Sequence, residues 1–88
     1  MTNSDQNDKP YPNSLRECRE RLGLRQCDIA TMLGHASHDR ISHWEKGFAL
    51  PGIINLFKLS KIYGIPPERL YHELYHSVRC SKDENIPL

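Results

Sequence analysis

The most chemically versatile side chains of this 88-residue sequence lie within one stretch of ten residues, from Ser37 to Lys46. Within it, Ile41 and Trp44 stand three positions apart, so a helix would carry both on one side. The opposite side would then be polar, with side chains that donate or accept hydrogen bonds: His38, Asp39, Ser42 and His43. A surface that only needs to be solvated would more often carry Lys and Glu. The pattern therefore indicates a helix that makes specific polar contacts.

A second group of side chains, near the end of the chain, has the chemistry of a metal site. His72, His76 and Cys80 recur every four residues and would share one face of a continuous helix. Imidazole and thiolate bind zinc, but three ligands are an incomplete set and no cysteine pair supports them. The sequence therefore favours a solvated helix face and leaves a metal site as the weaker alternative. No cofactor is predicted.

Composition and missing motifs limit the classes of function. The sequence contains no glycine-rich phosphate loop, no nucleophile beside a plausible base and no paired carboxylates in a predicted pocket. We therefore do not expect an enzyme. Three cysteines (Cys18, Cys27 and Cys80) are an odd number at unrelated spacings, which indicates a reducing compartment and favours the cytoplasm. No apolar run is long enough to span a membrane. Eight basic and five acidic residues between Ser14 and Lys61 permit contact with phosphates without demonstrating it.

Helical periodicity accounts for the central part of the chain, and no strand pattern of convincing length occurs. We predict one compact all-α domain at residues 14–76, a disordered polar arm at residues 1–13 and a polar tail at residues 77–88. Five short helices are expected, beginning near residues 14, 25, 37, 53 and 67. Glycines end the first four, at Gly23, Gly34, Gly47 and Gly64.

Local signals predict how the helices begin and which sides they bury. Ser14 and Glu17 have the spacing of a capping box, and Pro67 suits the first turn of the fifth helix. Cys18 and Cys27 are interpreted as small core or near-surface residues. The predicted buried sides consist of Ile53, Leu56, Phe57, Ser60 and Tyr63 on the fourth helix and Leu70, Tyr71, Leu74 and Val78 on the fifth.

The second and third predicted helices have the features of a pair that cross closely. Ala30 supplies a small residue at the crossing, and Gly34 supplies a tight turn. A helix that reads DNA presents polar residues to a major groove about 12 Å wide, while the preceding helix braces it across the backbone. The residues alone therefore favour a helix-turn-helix that binds DNA. Trp44 is expected in the core, whereas Asp39 could equally accept from a cytosine amino group or favour the positive end of its own helix.

The spacing of residues from Leu15 to Leu74 resembles the Cro/phage-repressor (XRE) helix-turn-helix regulators. The positions that carry the resemblance include Leu15, Cys18, Arg19, Gly23, Gln26, Ile29, Ala30, Leu33, Gly34, Ser37, Ile41, Ser42, Trp44, Glu45, Gly47, Pro51, Leu56, Leu59, Tyr63, Gly64 and Ile65. The resemblance implies a lambda-repressor-like domain that binds double-stranded DNA by sequence and regulates transcription. A repressor is expected, because no second domain for sensing a ligand is recognised.

The resemblance also implies a role for individual residues. It assigns base reading to His38, Asp39, Ser42 and His43, and phosphate contact to Arg25, Gln26, Ser37, Arg40 and Lys46. Structural support is assigned to Arg19, Ala30, Gly34, Ile41, Trp44 and Glu45, with Arg19 and Glu45 as an ion pair. Contact between two copies is assigned to Gly64, Ile65 and Pro66. The resemblance implies that a homodimer binds an inverted repeat in bacterial or phage DNA. The expected location is the cytoplasm.

Three departures from the family pattern affect this interpretation. One additional residue lies between Gly34 and Ser37, Arg25 stands where a Ser or Thr cap is usual, and the loop from Gly47 to Pro51 lacks basic residues. The uncharged loop, with its apolar Phe48-Ala49-Leu50 segment, leaves an alternative open. The chain could instead be a protein-interaction or antitoxin-type module of the same fold, with a protein partner and weak or no DNA binding.

Overall fold

The computed structural model describes residues 10–35 and 37–80, and this part of the chain is helical without strands. Its six helices are α1 (Leu15–Arg21), α2 (Gln26–Leu33), α3 (Asp39–Glu45), α4 (Ile53–Tyr63), α5 (Pro67–Leu70) and α6 (His72–Ser77). The predicted all-α class is confirmed. Most of the predicted arm, at residues 1–9, and the end of the predicted tail, at residues 81–88, lie outside the described residues. Among the described helices, none is long and apolar enough to cross a membrane.

One core joins the helices. Its buried members are Leu15, Cys18, Ile29, Ala30, Leu33, Ile41, Trp44, Leu59, Tyr63, Leu70 and Tyr71. On α2 and α3 these are the apolar residues that helical spacing predicted. On α1 the predicted stripe was Leu15, Cys18 and Leu22, and Leu22 is 49% exposed. Cys18 is buried while Cys27 is exposed. Burying these side chains is the main favourable term for a domain of this size.

Helix α1 begins differently from the prediction. Ser14 occupies the cap position, but its hydroxyl makes no capping hydrogen bond and instead lies 3.5 Å from the Leu70 carbonyl oxygen. The Leu15 amide donates to the side-chain oxygen of Asn13 at 3.0 Å. The predicted capping box with Glu17 is therefore wrong, because the backbone of Ser14 is tied to Leu70 by its own amide at 3.0 Å.

The residues just before α1 belong to the folded domain. The Asn13 side-chain amide donates to the Trp44 carbonyl at 2.8 Å and to the Tyr11 carbonyl at 2.9 Å. The Tyr11 amide donates to the Gly47 carbonyl at 3.1 Å, and the Tyr11 side chain packs against the core. These contacts connect the start of α1 to the end of α3, which the assignment of residues 10–13 to a polar arm did not anticipate.

Helix α4 buries Tyr63 and partly buries Leu56 and Ser60, as predicted, but leaves the other two predicted residues exposed. Leu59 and Tyr63 face the core, and Leu56 is partly buried against it. Ile53 is 61% exposed and Phe57 is 48% exposed, so the prediction that both are buried is wrong. Both sets of residues have helical spacing, and periodicity alone does not distinguish them. Packing of α4 against α5 selects the side with Leu59.

The predicted fifth helix is two helices. Pro67 occupies the first turn of α5 as expected, but Tyr71 (φ −119°, ψ 53°) interrupts the helix before α6. Adjacent residues on a regular helix point about 100° apart, and the interruption lets Leu70 and Tyr71 both enter the core, at 0% and 5% exposure. Val78 follows α6 and is exposed, so its predicted burial is wrong.

Candidate nucleic-acid interface

Helices α2 and α3 form the predicted closely packed pair. Ala30 is buried on α2, and Gly34 ends that helix in the left-handed conformation (φ 81°). The His35 amide then donates to the Ala30 carbonyl at 2.8 Å, which turns the chain sharply. The His35 ring meets the Trp44 ring edge-on, with 5.9 Å between centroids. His35 therefore lies between the two helices, a position that the sequence did not reveal.

Helix α3 is anchored through one side only. Ile41 and Trp44 are 1% and 4% exposed. On the remaining surface, Asp39 and His43 are exposed and Ser42 is partly buried. Both histidine and aspartate at this surface can form hydrogen bonds with base edges, because imidazole donates and accepts while carboxylate accepts. The separation of an apolar and a polar side that helical spacing predicted is thus present.

The start of α3 lies slightly later than expected. The helix begins at Asp39, with His38 at the cap position. Ser37 is not the cap residue, but its hydroxyl accepts a hydrogen bond from the Asp39 amide at 3.0 Å. This bond satisfies one of the free amides at the helix start, as a cap would. His38 is exposed beside it and forms no side-chain capping bond.

An ion pair connects α1 with the end of α3, as the resemblance implied. The Arg19 guanidinium donates to both carboxylate oxygens of Glu45, at 2.6 and 3.0 Å, and to the Leu24 carbonyl at 2.9 Å. The side chains are only 12% and 3% exposed. The hydrogen bond to Glu45 raises the pKa of Arg19. Two parallel charge-assisted hydrogen bonds fix the relative orientation of the two helices.

Gln26, at the start of α2, joins the same network. Its side-chain amide donates to Glu45 at 3.0 Å. A primary amide carries two N–H groups, so one stays available for a phosphate oxygen. Glu45 therefore orients a residue that the resemblance assigns to DNA phosphate. This link between α2 and α3 was not predicted.

A depression of about 480 Å³ lies where α1, α2 and α3 meet. Its lining combines basic and amide groups with two carboxylates: Asn13, Arg16, Glu17, Arg19, Gln26, Ser42, Glu45 and Lys46. Lys46 is exposed, and Arg16 is paired with Glu20 at 3.0 Å in a solvated i,i+4 contact. Lys46 and the spare Gln26 N–H can hold an anion, whereas the carboxylates limit the strength of the attraction.

Arg25 and Arg40 differ in their availability to phosphate. The Arg25 guanidinium donates to Asp28 at 3.1 and 3.2 Å, and the Asp28 carboxylate also accepts from the Arg25 amide at 2.8 Å. This contact lowers the pKa of Asp28, and the carboxylate supplies the half of a capping box that binds the amide of the cap residue. Arg25 can reach a phosphate only by sharing or leaving Asp28. Arg40 is exposed on α3.

The residues that the resemblance assigned to contact between copies form the turn from α4 to α5. Gly64 and Pro66 are exposed and Ile65 is partly buried. Gly64 adopts the left-handed conformation (φ 70°), and the Ser60 hydroxyl donates to the Ile65 carbonyl at 2.8 Å. The turn is thus held in one shape by α4 itself.

The weak metal candidate does not form a cluster. The rings of His72 and His76 meet edge-on at 4.5 Å between centroids on α6, but the helix ends at Ser77, before Cys80. In residues 10–35 and 37–80, no group of three or more His, Cys, Asp or Glu side chains is placed to hold a metal ion.

The geometry of α1 to α5 agrees with a comparison with known protein families. A helix-turn-helix family model matches residues 15–70, which is more than half of the chain. No curated protein sequence matches the chain. The match covers α2 and α3 and the ion pair that connects α1 with α3, and its family is of the DNA-binding regulatory type. The chain therefore belongs to the Cro/phage-repressor (XRE) type of helix-turn-helix proteins.

Proposed function

We propose that this protein is a sequence-specific repressor that reads the major groove of double-stranded DNA with α3. The observation that carries the proposal is the two-sided nature of this helix. Ile41 and Trp44 are buried on the side of α3 that faces the core, while Asp39 and His43 are exposed on its other side. A helix supported in this way can enter a groove without exposing apolar surface.

The network around Glu45 supports the proposal, because reading bases requires a helix of fixed orientation. Glu45 ends α3 and binds both Arg19 and Gln26. In the proposed complex, Gln26 and Lys46 hold backbone phosphates and His43, with His38, Asp39 and Ser42, contacts base edges. Arg25 at the start of α2, and Ser37 and Arg40 at the start of α3, are proposed as further phosphate contacts. Phosphate contacts set position, and base contacts set sequence preference.

We further propose that a homodimer binds an inverted repeat in the cytoplasm, on bacterial or phage DNA. Two copies related by a two-fold axis would place their α3 helices about one helical turn of DNA apart. Occupation of such a site excludes other proteins from the same DNA, which is the basis for repression.

Binding of fluorescent random-sequence duplex at several salt concentrations tests the DNA-binding step. A protein that contacts phosphates loses affinity steeply as salt rises. Lys46→Ala should reduce the slope of log affinity against log salt by about 1. Lys58→Ala is the matched control, since Lys58 is an exposed lysine on α4, outside the proposed interface. Absence of binding at low salt, or equal effects of the two changes, would contradict the proposal.

Selection of bound sequences from a random duplex pool tests sequence reading. His43→Ala should relax the preference at one position of each half-site, at a cost of about 1–3 kcal/mol for the preferred base. Gln26→Ala should instead weaken binding to all sequences by similar factors. If the two variants change preference alike, the assignment of base reading to His43 and of phosphate contact to Gln26 is wrong.

The alternative function, a protein-interaction or antitoxin-type module, is favoured by one observation. Phe48 and Leu50, in the loop after α3, are 58% and 46% exposed and have no charged residue between them. A protein partner would bury these side chains. Normal dimerisation with no duplex binding at low salt would favour this alternative.

A further inference from the structure

Helix α6 carries two histidines that the proposed DNA contacts do not use. His72 and His76 are four residues apart, and their rings meet edge-on with 4.5 Å between centroids. Both side chains are exposed. The proposed contacts with DNA all come from residues 25–46, so this pair of imidazoles has no role in them.

Packing of α6 on the core holds the two histidines on its solvent side. Leu74 is partly buried against the core, and Tyr71, just before the helix, is 5% exposed. Adjacent residues of a helix point about 100° apart, so Leu74 points about 160° away from both His72 and His76. The Tyr75 amide donates to the Tyr71 carbonyl at 2.8 Å, which ties the first turn to this buried residue. The core thus fixes the helix without covering the histidines.

The separation of the two rings suits two ligands of one cation. Imidazole nitrogen binds Zn²⁺ at about 2.0–2.1 Å, so two such nitrogens on a tetrahedral ion lie about 3.4 Å apart. With centroids at 4.5 Å, a nitrogen of each ring reaches this separation by rotation about side-chain bonds. The segment from His72 to His76 also has the form H-E-x-x-H, in which two histidines on one side of a helix bind zinc.

We infer that His72 and His76 together bind one divalent transition-metal cation of the Zn²⁺ or Ni²⁺ type, with water in the remaining coordination positions. The inference goes beyond the proposed function and does not depend on it. Cys80 is not part of the site. Helix α6 ends at Ser77, and the extended backbone of Val78 (φ −75°, ψ 133°) breaks the spacing that would stack Cys80 on the histidines.

The site is assigned to binding and not to catalysis. Catalytic zinc sites hold the ion with three protein ligands, and in H-E-x-x-H metalloproteases the glutamate acts as the general base. Among residues 10–35 and 37–80, no third His, Cys, Asp or Glu is placed to complete such a set with the two histidines. Glu73 therefore has no catalytic role in this inference.

The charges next to the pair indicate which cations it selects. His72, Glu73 and Arg69 line the same depression, of about 180 Å³, together with residues 12–14. The negative charge of Glu73 is offset by the positive charge of Arg69, so the attraction for a cation comes from coordination by imidazole. Mg²⁺ and Ca²⁺ prefer oxygen ligands, whereas Ni²⁺, Cu²⁺ and Zn²⁺ accept imidazole nitrogen. We therefore expect selection of transition metals over Mg²⁺.

A bound cation would stabilise α6. The helix has only six residues, and a helix of this length is not stable on its own in water. An ion held by both His72 and His76 spans one helical turn and keeps it closed. Because a ligand that binds the folded state shifts the unfolding equilibrium toward that state, the melting temperature should depend on the metal concentration.

Isothermal titration of the full chain with nickel chloride tests the inference, with magnesium chloride as the control ion. We expect one Ni²⁺ per chain and no binding of Mg²⁺ at the same concentrations. His72→Ala and His76→Ala should each weaken Ni²⁺ binding by about a hundredfold, because each leaves a single imidazole. His38→Ala is the matched control, since His38 is an exposed histidine with no histidine four residues away. Cys80→Ser should also leave the affinity unchanged.

Circular dichroism establishes that each variant is folded, and His72→Gln replaces His72→Ala if the latter does not fold. At a nickel concentration about a hundred times Kd, the Tm of the wild-type protein should rise by roughly 10 °C or more, and that of the His72 and His76 variants should not. Failure of the wild-type protein to bind Ni²⁺ overturns the inference. Wild-type affinity in both single variants, or an equal loss in His38→Ala or Cys80→Ser, overturns it as well. Binding without a rise in Tm overturns the stabilising role of the ion.

Discussion

Replacement of Arg19 by Met tests how α3 is held in place. The change keeps most of the aliphatic stem but removes the guanidinium that donates to Glu45 and to the Leu24 carbonyl. The Glu45 carboxylate, only 3% exposed, is left with the Gln26 amide as its remaining partner among the described residues. Removing one partner of a buried pair costs about 3–5 kcal/mol. Because Arg19 retains 12% exposure, we expect a loss near the lower end, about 3 kcal/mol.

Urea unfolding followed by fluorescence measures this loss directly, since Trp44 is the single tryptophan and is buried. For a domain of this size each kcal/mol shifts Tm by roughly 4–8 °C, so the melting temperature should fall by roughly 12–24 °C. Arg16→Met is the matched control. It breaks an i,i+4 pair with Glu20 in which both side chains are more than half exposed, and should cost about 0.5 kcal/mol or less.

Equal losses for the two arginine variants would refute the reasoning. A further comparison uses the double variant with both Arg19 and Glu45 replaced by Met. It leaves no buried charge, so its loss should be smaller than the sum of the single losses by about 1 kcal/mol or more. Strictly additive losses would show that the two side chains do not act as a pair.

Two further predictions concern the turns that frame α1 and α2. Asn13→Ala should lower the free energy of unfolding by about 1–2 kcal/mol, because it removes the helix cap and the link to α3, whereas Ser14→Ala should have a smaller effect. A larger loss for Ser14 in urea unfolding would reverse our assignment of the cap. Gly34→Ala should cost about 1 kcal/mol, because the position has φ 81° and open space around it. Gly52→Ala, at φ −66° and also in open space, is the control and should change the melting temperature little.

The burial of Trp44 was predicted from the sequence, whereas its contacts with Asn13 and His35 were not. Helical spacing already paired it with Ile41, and burial of both follows from that pairing. Asn13 and His35 gave no comparable signal. Asn13 contacts a carbonyl 31 residues away, and the His35 ring meets Trp44 across the turn. Neither contact has a spacing that a local pattern could show.

Helix α4 illustrates why periodicity did not determine burial. Ile53, Phe57 and Ser60 form one side with helical spacing, while Leu56, Leu59 and Tyr63 form another. The sequence supports either choice, and the position of α5 decides between them. Ile53 and Phe57 are left exposed, so periodicity alone did not identify which apolar residues of α4 meet the core.

The amino-acid sequence by itself determined the all-helical class, the positions of α1 to α4 within a few residues and the two-sided character of α3. These features depend on local preferences, helix spacing and glycines at positive φ, which act over a few residues. Only the tertiary structure decided which side of α4 is buried, where the last helix breaks and how Glu45 joins Arg19 to Gln26. Those outcomes depend on close packing and on pairing of buried charges between segments far apart in the chain, which local spacing does not specify.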